Sequence, residues 1–239
     1  MKPEVVVKPA PELPAAAAAA LAEALVAAIR KRGACRFALA GGSTPQPVYA
    51  ALAAPPLSQQ VDWKKVHVFF GDERCVPPDD PASNYRMAHA ALLDQVKIPA
   101  AQVHRIEGER PAAEAARAYA QTLGKEPLDI ALLGLGDDGH TASIFPATRE
   151  SSARVMATSS PVPPLLRVSL TTAALSEARQ VFFLVSGAKK AARVAEVFAQ
   201  LGDDAPPLPA ARVRPSTGKL VWFLDADAAS LVSTEMKAS

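Results

Sequence analysis

One histidine of the chain lies in a setting that suits proton transfer. His140 closes the glycine-rich run GDDGH (136–140), which follows an apolar stretch ending at Leu135. A neutral imidazole is the form that a general base needs, and histidine can supply it near pH 7. We expect Asp138 to cap a helix that continues through Thr141. His140 would then lie in the first turn, where the helix dipole disfavours the charged imidazolium.

The other three histidines carry no comparable signal. His67, His89 and His104 lie outside the glycine-rich segments and are interpreted as structural residues. No histidine or cysteine pair has the spacing of metal ligands, so we predict no metal site. The glycine-rich segment AGGSTP (40–45) matches neither GxxxxGK[ST] nor GxGxxG, the patterns of nucleotide-binding loops, and we predict no cofactor.

The same segment, AGGSTP (40–45), suits the binding of a small anion. Gly41 and Gly42 would let the backbone approach a phosphate closely, and Ser43 adds a hydroxyl donor. The free N–H groups at the start of a helix favour a phosphate or a carboxylate. The alternative is an ordinary tight turn in which Ser43 or Thr44 caps the helix.

The segment FGDER (70–74) places two carboxylates beside an arginine. Arg74 could bind a phosphate in a bidentate fork. The alternative is that Asp72 and Arg74 form a local structural pair. In either case the segment follows a predicted strand and precedes a proline-rich loop.

Two further cations lie at the ends of predicted elements. Lys190 stands near a helix start in SGAKKA (186–191), where a lysine opposes the helix dipole unless an anion is bound nearby. Arg167 opens the run RVSLT (167–171). A solvated surface lysine is the alternative for Lys190, and a structural role is the alternative for Arg167.

These segments fall where an α/β fold would bring them together. Short apolar runs alternate with helical patterns, which is typical of a largely parallel sheet covered by helices on both faces. The predicted strands are 36–40, 66–70, 103–106, 129–135, 154–158, 167–171, 181–186 and 220–224. The predicted helices are 13–31, 47–53, 83–95, 111–123, 188–201 and a short one after Asp225. Ligands bind beyond the carboxyl ends of such strands, so the polar segments are expected to converge on one edge.

Length and composition favour a single domain over residues 1–239. Apolar residues make up 49% of the chain, enough for a sizeable core. The 26 Lys and Arg nearly balance the 24 Asp and Glu and form no basic stripe, so we expect no nucleic-acid partner. The proline-rich segment Asp203–Pro209 fits either a mobile loop or a packed connector.

Two features predict a cytoplasmic protein without a membrane anchor. The apolar stretch Ala15–Ile29 contains Glu23 and is mostly alanine, which indicates an amphipathic helix and not a signal peptide or a membrane span. Cys35 and Cys75 lack a C-x-x-C spacing and are interpreted as free thiols of a reducing compartment, with a disulfide as the alternative.

The polar segments, in this order, resemble those of the 6-phosphogluconolactonases and, more distantly, of the glucosamine-6-phosphate deaminases of the same fold. The matching stretches are LAGGSTP (39–45), FFGDER (69–74), SNYRMA (83–88), LLGLGDDGHTASIFP (132–146), RVSLT (167–171) and SGAKKA (186–191). The resemblance implies a three-layer α/β/α sandwich with a mainly parallel sheet. It also implies hydrolysis of a phosphorylated sugar lactone, 6-phospho-D-glucono-1,5-lactone, in the oxidative pentose phosphate pathway, by an enzyme that is often monomeric.

The resemblance implies a role for each matching position. His140 corresponds to the general base that activates water, and Asp138 to its catalytic helper. The positions that correspond to phosphate and sugar contacts are Gly41, Gly42, Ser43, Asp72, Arg74, Arg167 and Lys190.

Two other functions stay open on the resemblance alone. In the deaminases the histidine motif continues into a segment whose glutamate assists ring opening, and Phe145 stands at that glutamate position here. The deaminases also carry a tyrosine where this chain has Arg74. Both departures favour the lactonase. A sugar-phosphate sensor is the third possibility, and the chain carries no helix-turn-helix pattern that would serve as its output module.

Overall fold

A six-stranded parallel sheet forms the centre of the protein. The computed structural model describes residues 3–201 and 208–233. The strands of this sheet are β1 (Glu4–Lys8), β2 (Cys35–Leu39), β3 (Val66–Phe70), β5 (Ile130–Leu133), β8 (Gln180–Val185) and β9 (Lys219–Asp225), in the spatial order β1-β9-β8-β5-β2-β3. A smaller antiparallel sheet has the order β4-β7-β6 and consists of β4 (Asp72–Arg74), β6 (Val155–Ser159) and β7 (Leu166–Leu170).

Helices flank the large sheet. They are α1 (Leu13–Arg32), α2 (Gln46–Ala53), α3 (Leu57–Gln60), α4 (Asn84–Ala88), α5 (Ala112–Leu123), α6 (Thr172–Ser176), α7 (Ala191–Gln200) and α8 (Pro209–Arg212). A π-helical turn, His89–Leu93, continues α4, and short 3-10 turns lie at Trp63–Lys65, Ala100–Gln102 and Ala188–Lys190. The predicted α/β fold, a mainly parallel sheet between helices, is confirmed.

The alanine-rich segment near the N-terminus forms α1. Pro14 lies in its first turn, where the fixed φ of proline suits a helix, and Gly33 ends it with a left-handed φ of 82°. The buried residues of α1 are Leu13, Ala17, Ala18, Leu21, Ala22, Ala24, Leu25 and Ala28. By length and composition α1 could also cross a membrane, a property that buried core helices share.

The strand order reverses beside β2. The strand that follows β2 in the chain, β3, pairs with one of its edges, and β5 pairs with the other. The loops that leave β2 and β5 therefore diverge to opposite faces and open a crevice at their carboxyl ends, where ligands of such sheets bind. All four residues of β5 are buried, as predicted for a central strand.

The structure differs from the strand predictions at two places. β1 was not predicted, because a five-residue edge strand between prolines has little sequence signal. The segment predicted as a strand at 103–106 forms a single bridge, from Val103 to Val68 of β3, and lies beside the sheet without extending it. The predicted strand 167–171 is confirmed as β7, although it belongs to the antiparallel sheet.

Two predicted helices also differ. The helix predicted at 83–95 is divided into α4 and the π-helical turn. The residues after Asp225 form turns, because the Asp225 carboxylate accepts the backbone N–H of Ala228 at 2.7 Å. Most of the segment Asp203–Pro209 lies outside the described residues.

Candidate active site

Loops that follow β2, β3, β5 and β8 enclose one cavity at the crevice. Its volume is about 320 Å³. The predicted site residues that line it are Gly41, Gly42, Ser43, Asp72, Arg74, His140 and Lys190. Asp138 and Arg167 were predicted as well and do not line it. The expected convergence of the polar segments is therefore present for the seven residues that line the cavity.

A hydrogen bond joins His140 to Asp138. Nδ1 of His140 lies 2.6 Å from Oδ1 of Asp138, and the same oxygen accepts the backbone N–H of His140 at 3.0 Å. Burial raises the pKa of the Asp138 carboxyl, but hydrogen bonds from His140 and the charge of its ring hold that pKa below its usual value. An ionised carboxylate can only accept, so Nδ1 carries the hydrogen and Nε2 of the neutral ring keeps a free lone pair.

The helix expected after Asp138 is absent. Residues 137–143 form turns, and Thr141 bridges to Ile144. Asp138 thus caps a tight loop through the N–H of His140, and the predicted dipole effect on the imidazole does not apply. The carboxylate of Asp138, and not a helix, selects the tautomer of the ring.

Gly136 and Phe145 confine the imidazole of His140. A Cβ on Gly136 would lie 2.0 Å from Nδ1 of His140, so only glycine allows the ring to pack on this backbone. The N–H of Gly136 donates to the carbonyl of His140 at 2.8 Å, which closes the loop on itself. The ring of Phe145 lies beside the imidazole with the two centroids 4.6 Å apart.

Asp72 is held by two residues that sequence reasoning did not single out. Its Oδ1 accepts a hydrogen bond from Nδ2 of Asn84 at 3.2 Å, and its Oδ2 accepts one from Oγ of Ser143 at 2.5 Å. Asn84 and Ser143 lie inside the motifs SNYRMA and GDDGHTAS, which was the available signal. Within the described part of the chain Asp72 makes no ion pair with Arg74, contrary to the alternative considered above.

Arg74 and Arg167 lie directly opposite each other on β4 and β7. Nη1 of Arg74 donates to the carbonyl of Ala82 at 2.6 Å, and Nη2 of Arg167 lies 3.4 Å from Oγ of Ser160. The Nε atoms of both are buried and have no partner among the described residues. Burial and the charge of Arg74 lower the pKa of Arg167. Adjacent like charges are unfavourable alone and favour the binding of an anion.

Lys190 forms an ion pair with a residue of the histidine loop. Its ammonium contacts the carboxylate of Asp137, and this hydrogen bond lowers the pKa of Asp137. Nε of Arg193 donates to the backbone carbonyl of Asp137 at 3.0 Å. The start of α7 is thereby attached to the loop that carries His140.

Gly41 and Gly42, which follow β2, line the cavity. A Cβ on Gly41 would lie 1.9 Å from Oδ1 of Asn84, so any larger residue would displace that side chain. Gly42 has a φ of 90°, which glycine adopts without strain. The backbone N–H groups of Gly42 and Ser43 donate to no acceptor in residues 3–201 or 208–233.

Neither cysteine is among the described residues that line the cavity. Cys35 is buried, Cys75 is half-buried, and both are free thiols, as predicted. Across the residues that the structure describes, no group of three or more His, Cys, Asp or Glu side chains could hold a metal ion.

Comparison with known proteins identifies the family. The sequence profile of the Glucosamine-6-phosphate isomerases/6-phosphogluconolactonase family matches residues 8–222. The chain belongs to this family. A 6-phosphogluconolactonase of Nostoc sp. is 42% identical over 218 residues, which is 86% of this chain and 88% of that relative. A 6-phosphogluconolactonase of Streptomyces coelicolor is 37% identical, covering 95% of this chain and 94% of the relative.

A solved structure agrees with this assignment. The 6-phosphogluconolactonase from Trypanosoma cruzi has a TM-score of 0.84 at 32% identity and covers 97% of both chains. The fold by itself does not separate the two branches of the glucosamine-6-phosphate isomerase/6-phosphogluconolactonase family, since a monomeric glucosamine-6-phosphate deaminase at 22% identity has a TM-score of 0.82. Side chains such as Phe145 beside His140 must decide between them.

Proposed function

We propose that this chain hydrolyses 6-phospho-D-glucono-1,5-lactone to 6-phospho-D-gluconate, with His140 as the general base. Lactonase activity follows from the family and from relatives named 6-phosphogluconolactonase at up to 42% identity. The observation that carries the finer proposal is that His140, with Nδ1 bonded to Asp138, lines the same cavity as Arg74 and Lys190.

The reaction needs one proton to be moved from water to the ring oxygen of the sugar. Nε2 of His140 removes a proton from water as the water oxygen attacks C1 of the lactone. The bond between C1 and the ring oxygen then breaks, and the imidazolium returns its proton to that oxygen. Asp138 stabilises the imidazolium in between through the Nδ1 hydrogen bond of 2.6 Å.

Phosphate binding is assigned to the cations and the glycine loop. Arg74, Lys190 and the free N–H groups of Gly42 and Ser43 line the cavity. Arg167 supports them from the neighbouring strand β7, where its charge adds to that of Arg74. Binding the remote phosphate would orient the reacting carbonyl over His140.

Asp72 suits a sugar hydroxyl. Asn84 and Ser143 hold its carboxylate at the cavity wall, and a carboxylate accepts hydrogen bonds from hydroxyl groups. Gly41 has no side chain, so the loop after β2 can lie close to the side chain of Asn84. The negative charge of the opening intermediate requires donors, which backbone N–H groups of the glycine-rich loops can supply.

Deaminase activity would need a proton-transferring side chain at position 145, and this chain has none there. Phe145 packs on the imidazole of His140, where the deaminase motif has a glutamate, and a phenyl ring exchanges no protons. We therefore favour lactone hydrolysis over ring opening and deamination.

The decisive measurement is a lactone-decay assay. The substrate is generated in solution with glucose-6-phosphate dehydrogenase, 6-phosphogluconate formation is followed, and ammonia release from glucosamine 6-phosphate is measured in parallel. His140→Ala is expected to lower kcat by about 10²-fold to 10⁴-fold with little change in product affinity. His89→Ala, at a half-exposed histidine paired with Asp94, serves as the matched control with wild-type kcat. Ammonia release, or full activity of His140→Ala, would refute the proposal.

Charge removal tests the phosphate contacts. Arg74→Ala and Lys190→Ala are each expected to raise KM by about 10-fold to 100-fold, since each removes one charge-assisted hydrogen bond to the phosphate. Calorimetry with 6-phosphogluconate gives the corresponding Kd. Unchanged KM and Kd in both variants would exclude these residues as phosphate ligands.

A further inference from the structure

Glu73 is a buried carboxylate that faces away from the cavity. It lies between Asp72 and Arg74 on β4, and successive side chains of a strand point to opposite faces. Asp72 and Arg74 line the cavity, whereas Glu73 does not and is 3% exposed. The mechanism above makes no use of it.

Four hydrogen bonds converge on this carboxylate. Oε1 accepts the backbone N–H groups of Arg74 at 2.8 Å and Asn84 at 2.7 Å. Oε2 accepts Oγ of Ser83 at 3.0 Å and the backbone N–H of Tyr85 at 2.7 Å. One side chain therefore joins the end of β4 to the start of α4 across the loop between them.

The bonded residues are those that shape the cavity wall. Asn84 holds the Asp72 carbonyl at 2.8 Å in addition to its carboxylate. Arg74 donates from its guanidinium to Ala82, at the other end of the same loop. A shift of Glu73 would therefore displace both the arginine and the carboxylate that face the substrate.

A neutral side chain could not replace this carboxylate. Burial raises the pKa of Glu73, and the N–H groups of Tyr85, Asn84 and Arg74 oppose that rise. A buried carboxylate is costly unless its acceptor positions are used, and all four donors here need an acceptor. Glutamine has a single acceptor oxygen and would turn its N–H₂ group toward at least one backbone N–H that needs an acceptor.

We propose that Glu73 is a positioning residue of the active site, which sets Arg74 for phosphate binding and Asp72 for the sugar without touching the substrate itself. The inference rests on the proposed phosphate role of Arg74. It deepens that role, because it makes the affinity for the phosphorylated substrate depend on a residue outside the cavity.

Glu73→Gln tests the proposal against a matched control. KM for the lactone and Kd for 6-phosphogluconate are expected to rise by about 10-fold to 100-fold, as for a displaced binding group, with a smaller change in kcat. The control is Asp129→Asn. Asp129 is 4% exposed, accepts the N–H of Arg36 at 2.8 Å and pairs with Arg32 and Arg179, away from the cavity. This variant is expected to lower Tm comparably and leave KM and kcat as in the wild type.

The outcomes separate this inference from the proposed function. If Arg74→Ala raises KM but Glu73→Gln matches Asp129→Asn, Glu73 is merely structural and the inference alone is overturned. If Arg74→Ala leaves KM unchanged, the phosphate role of Arg74 fails and the inference fails with it. In the double variant Glu73→Gln/Arg74→Ala, adding Glu73→Gln is expected to raise KM less than it does in the wild type. The reason is that the Arg74 side chain is no longer there to be displaced.

A second variant covers the case in which Glu73→Gln does not fold. Ser83→Ala keeps the carboxylate and removes one of its donors, together with the cap that Ser83 Oγ provides for the N–H of Arg86 at 3.1 Å. KM is expected to rise by about 2-fold to 5-fold, as for the loss of one ordinary hydrogen bond to Glu73. A folded Ser83→Ala protein with wild-type KM would overturn the inference in that case.

Discussion

At the scale of single residues, the Asp138 carboxylate determines which nitrogen of the His140 ring is available to substrate. It accepts both the backbone N–H and the Nδ1 hydrogen of His140. Since hydrogen bonds from His140 hold the pKa of Asp138 down against the effect of burial, the carboxylate stays ionised below the usual carboxyl range. The carboxylate partner of His140 is therefore ionised at neutral pH.

Asp138→Asn tests this tautomer control. The asparagine amide can turn its N–H₂ group toward Nδ1, which would move the ring hydrogen to Nε2 and block proton removal from water. We expect kcat to fall by about 10²-fold to 10⁴-fold with KM nearly unchanged. Steady-state kinetics of the lactone-decay assay measures both, and a kcat within a few-fold of wild type would mean that Asp138 does not control the tautomer.

At the scale of elements, a loop without regular structure carries His140, the proposed general base. Residues 134–145 form turns that are closed by the bond from Gly136 N–H to the His140 carbonyl and by Thr141 Oγ1 to the Gly134 carbonyl at 2.9 Å. Ala142, on the cavity wall, has a φ of 48°, a left-handed conformation that costs free energy in a residue with a side chain. The loop thus depends on packing and not on helix propensity.

Gly136→Ala tests whether the position of the His140 ring depends on this loop. The new Cβ would lie 2.0 Å from Nδ1 of His140, so the ring must move, and kcat is expected to fall by roughly 10²-fold. Gly134→Ala is the matched control in the same loop, because a Cβ there meets no atom within 4 Å, and its kcat is expected to fall far less. Equal activity of the two alanine variants would show that the ring position tolerates the change.

At the scale of the whole molecule, a histidine pair lies at the edge of the large sheet, with His67 on β3 and His104 beside it. Nδ1 of His67 and Nε2 of His104 are 3.1 Å apart, and His104 stacks on Phe69, whose other neighbour is the Arg36 guanidinium. Burial lowers the pKa of both histidines, His67 further lowers that of His104, and Arg36 lowers both. The folded protein therefore favours the neutral form of both imidazole rings.

This pair predicts a loss of stability in mild acid. Because the folded-state pKa values lie below those of the unfolded chain, the unfolded state takes up protons first. Stability is fully present above the unfolded pKa of about 6.5 and is lost as pH falls from there toward the folded values. Tm measured from pH 8 to pH 5 should fall less steeply in His67→Gln/His104→Gln than in the wild type.

Local sequence was enough for the fold class and for the convergence of the polar segments on one edge of the sheet. Alternating apolar runs indicated the parallel sheet, and the segments 41–44, 71–74, 136–140 and 187–190 were expected at its carboxyl edge, where residues of all four line one cavity. These features depend on periodicity and on residues close together in the chain, which a sequence displays directly. The short edge strand β1 and the helix expected after Asp138 mark where such local signals fail.

Only the tertiary structure decided which groups act on one another across the chain. The opposition of Arg74 and Arg167 requires β4 and β7 to pair, and the bond between Asp72 and Ser143 joins residues 71 positions apart. Glu73 acquires its role from donors on α4, ten to twelve positions away, once the loop between them is closed. Such contacts depend on packing and on the cost of leaving buried polar groups unpaired, and no local pattern encodes either.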